Sequence, residues 1–178
     1  MGLVEVSLIG QEASGIVVKA GIIAAERFKP GDRVVLLGDG MHATKLRIDH
    51  RLTAMMPDSM SFEEAAALPM VHVTAYHALV NIARLRAGQS VLIHAAAGGV
   101  GQAALQLAAH LKLKVYATVG SEDKRRLVMD KYNVPESQIF YSRDASFVKA
   151  IKRVTGGRGV DCVLNSLSGE VGSVEFPI

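Results

Sequence analysis

The sequence predicts an α/β chain, an incomplete doubly wound parallel sheet of about four strands preceded by part of a β-rich domain. Three observations predict it. Residues 90–120, SVLIHAAAGGVGQAALQLAAHLKLKVYATVG, read as strand, small-residue turn, helix and second strand, within the roughly 30 residues of one strand–helix–strand unit. A later apolar run, Val160 to Asn165, is placed to add a fourth parallel strand. Ahead of residue 70 the chain carries short strand-like runs divided by glycine and proline.

Taken in order, Val4–Ile9, Ala13–Ala20 and Arg33–Leu37 are strand candidates. Lys29-Pro30-Gly31-Asp32 predicts a tight turn, because proline pre-sets one dihedral and glycine tolerates a positive φ. Met41–Asp49 is read as a further strand, and Pro57–Ser61 ends the region. Ser61 followed by Glu64 is a capping-box pattern opening a helix through Ala65 and Ala66. A second helix is expected from about Val73 to Leu85, and Ala87-Gly88 turns the chain into the strand at Val91–His94. The helix of the central unit should face the core through Ala104, Leu107, Ala108 and Leu111, and its second strand runs Val115–Val119. A last helix starts near Ser146.

Composition narrows the function classes. Nearly half of the 178 residues are hydrophobic and 21% are charged, which is globular rather than disordered. The net charge is +3 and no basic run exceeds Lys124-Arg125-Arg126, so nucleic acid is not an expected partner. One cysteine, Cys162, excludes an internal disulfide framework and suits a reducing compartment. The start lacks the apolar core of a signal peptide, and no apolar stretch approaches the ~20 residues of a membrane span. A cytoplasmic location without a membrane partner is the expectation.

The turn carries the chemistry. Against G-x-G-x-x-G the match is Ala96-Ala97-Gly98-Gly99-Val100-Gly101, with alanine in the first glycine slot. Small residues let the backbone bend sharply and approach a pyrophosphate, Gly101 lets the helix pack close, and the first amides of the helix face the anion. Ala96, Gly98, Gly99, Val100 and Gly101 are therefore the candidate cofactor contacts, set against a tight strand–helix turn that binds nothing. At the end of the second strand, NAD would be recognised by an acidic residue; here stand Gly120-Ser121, with Lys124 and Arg125 one helical turn on. Ser121 can donate to a phosphate and Lys124 can neutralise it, which favours NADPH. Glu122 and Asp123 would repel that phosphate if turned inward, and a solvated charged face without a ligand is the competing reading.

A resemblance joins these segments. Gly31-Asp32-Arg33-Val34, Ala65-Ala66-Ala67-Leu68-Pro69, Thr74-Ala75-Tyr76 and Ala95-Ala96-Ala97-Gly98-Gly99-Val100-Gly101 stand in the order of the medium-chain dehydrogenase/reductase superfamily. Within it the chain most resembles the enoyl reductase domain of fatty-acid synthases and reducing polyketide synthases, the fungal highly reducing ones in particular. Ala117-Thr118-Val119-Gly120-Ser121, Ser142-Arg143-Asp144 and Val163-Leu164-Asn165-Ser166-Leu167-Ser168-Gly169 carry that narrower match. The resemblance implies a partial GroES-like catalytic domain over 1–70 and a partial Rossmann NADPH-binding domain over 71–170. Residues 171–178 do not resemble the family's next helix. It also implies that sheet strands 5 and 6 are missing, leaving the fourth strand as an apolar edge prone to association.

Zinc alcohol dehydrogenases in the superfamily carry Gly-His-Glu where this chain has Gly10-Gln11-Glu12, and they use cysteines absent here. With one cysteine and six scattered histidines, a catalytic zinc site is not expected. Without a Lewis acid for an alkoxide, reduction of a conjugated C=C is favoured over reduction of a ketone. The activity implied is hydride delivery from NADPH to the β-carbon of an acyl-carrier-bound enoyl thioester, beside other synthase domains. By the same resemblance Thr74 lies near the nicotinamide, Ser142 and Arg143 contact the cofactor, and Lys124 and Asp144 are proton-donor candidates. Lys124 serves the cofactor first, and Asp144 can equally cap the helix at Ser146. The alternatives are a free-standing zinc-independent quinone or enone reductase and a non-catalytic fragment.

Overall fold

In the computed structural model, residues 9–142 and 146–166 are described. The expected strand at Val4–Ile9 falls outside them except for Ile9, as do Arg143, Asp144 and the 171–178 tail. The chain divides into two compact units between Val71 and His72.

The first unit is an antiparallel sheet of β1 (Glu12–Ile16), β2 (Arg33–Leu37) and β3 (Thr53–Met55), in that spatial order. Along β2 the alternation is clean, with Val34 and Leu36 buried beside Phe28 and Met41. The turn before β2 is as the residues dictate: Asp32 N donates to Lys29 O at 3.1 Å, and Gly31 has φ +96°. Two expectations are corrected. The strand over Ala13–Ala20 stops at Ile16, and Met41–Asp49 is not a strand. Met41 is drawn into the core, but Gly40 (φ +74°) and the bends at residues 43–45 break the ladder, so β3 pairs with β2 instead.

Helix α1 (Phe62–Ala66) opens on the expected capping box: Glu64 N donates to Ser61 Oγ at 3.1 Å, and Ser61 N donates to Glu64 Oε2 at 2.9 Å. Helix α2 (Pro69–Tyr76) starts four residues before the predicted Val73, because Pro69 is well suited to a first helical position. Its next amide, Met70 N, donates to Glu12 Oε2 at 2.7 Å. The helix then widens into a π-helical turn over His77–Ile82.

The second unit is built on four parallel strands: β4 (Ser90–Ile93), β5 (Lys114–Val119), β6 (Ile139–Tyr141) and β7 (Cys162–Leu164). Their order is β6-β5-β4-β7, so β4 is central and the chain reverses direction of travel across it. This is the strand order of a doubly wound dinucleotide fold, with β7 at an edge among the described residues. Three helices follow the strands: α3 (Gly99–His110), α4 (Glu122–Tyr132) and α5 (Ser146–Val154). Leu92 and Tyr116 pack with Phe147 and Ile151 of α5. Alternation then turns Val91 and Ile93, also fully buried, to the opposite face. The buried stripe of α3 is Gly101, Ala103, Ala104, Leu105 and Ala108. Leu107 and Leu111, expected in the core, are only half-buried. The start of β7 is tied to the start of β4: Ser90 N donates to Asp161 Oδ2 at 2.7 Å, and Asp161 N donates to Ser90 Oγ at 3.0 Å.

His94, just past β4, is 2% exposed, within 2.8 Å of Thr118 Oγ1 through Nδ1 and edge-on to Phe147. Burial pushes its imidazole down to about 4. The unfolded chain therefore takes up the proton first, near pH ~6.5, and stability falls as pH drops from there towards 4. Integrated over that window the loss is about 3 kcal/mol. Urea unfolding of wild type against His94→Gln checks this: the acid loss should shrink in the variant, and parallel pH profiles would refute it.

Candidate functional site

Between β4 and α3 the chain makes a tight bend. Ala95 is held at φ +48°, a left-handed conformation that costs a non-glycine residue on the order of 1 kcal/mol. Gly98 N closes the turn on Ala95 O at 2.8 Å, and Ala96 N anchors it to Thr118 O of the neighbouring strand region at 3.0 Å. The amides of two predicted contacts, Ala96 and Gly98, are thus already used by backbone. They shape the bend and donate nothing outward.

The next three amides differ. Gly98 is the N-cap of α3 and has no side chain with which to cap it, and the first helical bond runs from Gln102 N to Gly98 O at 2.8 Å. Gly99, Val100 and Gly101 supply the first-turn donors that a helix leaves unpaired, and no partner for them occurs among the described residues. Gly98 and Gly99 are exposed, so this end of the helix is open to solvent. Aligned donors and the positive end of the helix dipole make it a place for an anion.

Gly101 makes the arrangement possible. A Cβ there would lie 2.5 Å from Ala95 O and 2.6 and 2.7 Å from Ala96 Cα and C, inside the backbone of the turn. At Gly98 the corresponding approach is 3.2 Å, to Ala95 O.

A second polar cluster lies at the carboxyl ends of β5 and β6, which pair Val119 with Tyr141. Ser121 caps α4, its Oγ accepting from Lys124 N at 3.4 Å. Ser142 N donates to Val119 O at 2.9 Å, which brings Ser142 to the same strand end. Lys124 is exposed and makes no ion pair among the described residues. Arg125 is otherwise engaged: it pairs with Glu136 at 3.1 Å and Glu122 at 4.0 Å and lies 5.8 Å from the centre of the Tyr141 ring. Glu122 in turn receives the Tyr141 hydroxyl at 2.5 Å and lies 3.7 Å from Arg126. Of the basic residues singled out here, Lys124 makes no ion pair among the described residues; Glu122 is faced by two guanidiniums and a phenol, while Asp123 is exposed and has no ion-pair partner among the described residues.

Thr74 lies on α2, exposed, where it lines a cavity of about 470 Å³ with Val73, His77, Ile82, Val163 and Leu164 among others. Arg143 and Asp144 fall outside the described residues.

Among the described residues no three His, Cys, Asp or Glu side chains gather at ligand distance. The Cys162 thiol is pushed up by burial and by Asp161, away from the thiolate a metal requires. Among the described residues no helix is long and apolar enough to cross a membrane.

Sequence reasoning missed Gln102. Its Nε2 donates to Ala97 O at 2.9 Å, while its Oε1 accepts from Tyr132 O–H at 2.7 Å and from Lys131 Nζ at 3.4 Å. The signal was a polar residue on the otherwise apolar first turn of an alanine-rich helix.

Residues 99–172 match the zinc-binding dehydrogenase family. The chain is 82% identical over 171 residues to the highly reducing polyketide synthase curS1 of Aspergillus terreus, covering 96% of this chain and 7% of that protein. The CurK enoyl reductase structure matches at a TM-score of 0.83 and 38% identity, over 92% of this chain and 48% of that one. The Escherichia coli quinone oxidoreductase complexed with NADPH matches at 0.77 and 33%, over 91% and 49%. The chain thus spans 7% of the length of the curated synthase and about half of the solved reductases.

Gly101→Ala should be destabilising by about 1–3 kcal/mol, the cost of overpacking against backbone that cannot rotate away. Gly98→Ala should cost less, its neighbour needing to move only a few tenths of an ångström. Denaturant titration of the two variants checks the order; equal midpoints would contradict it.

Proposed function

We propose that this chain, homologous to one segment of the highly reducing polyketide synthases and built like the enoyl reductases, forms part of an NADPH-dependent enoyl reductase. The observation that carries the reading is the set of three unpaired first-turn amides at Gly99, Val100 and Gly101, beside the central strand of a parallel sheet. Ligands of such sheets sit outside the carboxyl ends of the strands, where the connection order reverses.

The residues fit the cofactor in two places. The amides of Gly99, Val100 and Gly101 bind the diphosphate, with Ala96 and Gly98 keeping the approach clear of side chains. Ser121 and Lys124 bind the 2′-phosphate, Lys124 as a point charge whose ammonium is not otherwise paired. Arg125 contributes indirectly, by holding Glu122 and Glu136. Ser142, at the same strand end, borders this pocket, and Arg143 follows it in sequence. Thr74 offers its hydroxyl to the nicotinamide carboxamide.

Bound NADPH supplies a hydride to the β-carbon of an α,β-enoyl thioester. The protein's own work is to hold donor and acceptor in register and to keep the diphosphate end fixed while the acyl group, delivered on a carrier by the same synthase, enters. A proton must then reach the α-carbon. Lys124 and Asp144 are the candidates, and Lys124 is assigned to the phosphate because one ammonium does not serve both ends of the cofactor. A free-standing quinone reductase is the second reading, supported by the 33% identity to the Escherichia coli enzyme; the 82% identity to a polyketide synthase favours the first.

Replacing Lys124 by alanine should weaken NADPH binding roughly ten-fold and leave NADH unchanged, since a charged hydrogen bond contributes about 1.5–3 kcal/mol and this one is solvent-exposed. The chain has no tryptophan, so the cofactor's own emission reports binding without interference. Equal losses for both cofactors would remove the 2′-phosphate assignment. In the intact synthase, turnover of a crotonyl thioester but not of a quinone supports the first reading, and the opposite preference supports the second.

A further inference from the structure

Gln102 belongs neither to the glycine pattern nor to any element of the proposed chemistry, yet it is the side chain most tightly tied to the turn. It sits on the first turn of α3 and reaches back to the carbonyl of Ala97, 2.9 Å from its Nε2. That carbonyl lies in the bend itself, between Ala96 and Gly98, whose amides are used by backbone. A carbonyl oxygen carries partial negative charge, and one free to rotate towards an anion held by the next three amides would oppose it. Gln102 holds it by a hydrogen bond to the helix. The other end of the same amide is fixed by the Tyr132 hydroxyl at 2.7 Å and Lys131 Nζ at 3.4 Å, both at the far end of α4. Because a side-chain amide anchored at one end only would still swing, the two α4 contacts are what make the Ala97 bond directional.

We propose that Gln102 is a positioning residue for the diphosphate site. It pins the Ala97 carbonyl away from the anion and braces the turn against α4, whose own N-terminus carries Ser121 and Lys124. This rests on the dinucleotide reading above. Its consequence is selective: losing Gln102 should harm ligands that place a diphosphate in the turn and spare those that reach only the Ser121–Lys124 end.

The test uses the full 178-residue chain, titrated with NADPH and, by competition, with adenosine 2′-monophosphate, which has no diphosphate. In Gln102→Leu the NADPH dissociation constant should rise roughly five- to ten-fold, the range expected for a single neutral hydrogen bond. The adenosine 2′-monophosphate constant should stay within two-fold. Tyr132→Phe, which removes one anchor of Gln102 and touches nothing in the turn, should show a smaller loss with the same selectivity. Equal losses of both ligands in either variant would mean that Gln102 merely supports the fold, and unchanged NADPH affinity would mean that the Ala97 carbonyl needs no holding. Either result overturns the proposal. A wild-type chain that binds adenosine 2′-monophosphate but not NADPH, or neither, overturns the dinucleotide reading and this proposal with it.

Discussion

Helix α3 lies so close to the bend that precedes it that a single methyl group at Gly101 would occupy the space of the Ala95 carbonyl and the Ala96 backbone. Much else in the second unit follows from that contact. It fixes where α3 starts, and so where its first amides point. It lets Ala96 reach Thr118 beside the β5 end, which sets the height of the turn above the sheet. It also holds Ala95 in a conformation that an isolated chain would avoid. Backbone strain of this kind persists only where packing over-determines it, and here α3 presses on Ala95 and Ala96 while the next amide, Ala96 N, is held by Thr118 of β5.

Around that contact, polar groups are divided between those used and those left open. Ala96 N and Gly98 N are consumed in making the bend, and the next three amides are not. The same division recurs at α4, where Arg125 is committed to Glu122 and Glu136 while Lys124 stands free of ion pairs among the described residues. In both places some neighbouring groups saturate each other; what is left is backbone donors at α3 and, at α4, the Lys124 ammonium next in sequence to the exposed Asp123 carboxylate. A ligand with two separated anionic groups is the complement of such a surface. Gln102 and Tyr132 connect the two helices that carry them.

Much of this was legible in the residues. The apolar run of β4, the small-residue turn and the apolar periodicity of α3 predicted a parallel unit, and the observed β6-β5-β4-β7 order is that of a doubly wound sheet. Ser61 and Glu64 announced their capping box because both partners are local. What was not legible depended on long-range partners. Met41 looked like part of a strand because hydrophobic alternation does not say whether the backbone pairs, and Gly40 with the following bends prevents it. Arg125 and Lys124 are neighbours of equal charge in the sequence; only the placement of Glu136 and Tyr141 separates their roles. Gln102 gave almost no signal, because its partners, Lys131 and Tyr132, lie about thirty residues on in α4.

On the reading proposed above, three particular main-chain amides grip a diphosphate. Backbone resonances of the chain followed by nuclear magnetic resonance during titration with ADP test it without reference to turnover. The amide signals of Gly99, Val100 and Gly101 should move most and move downfield, as donors to an anion do, while those of Ala96 and Gly98 hold still. Saturable binding with these three signals stationary, or with the largest changes elsewhere, would contradict it.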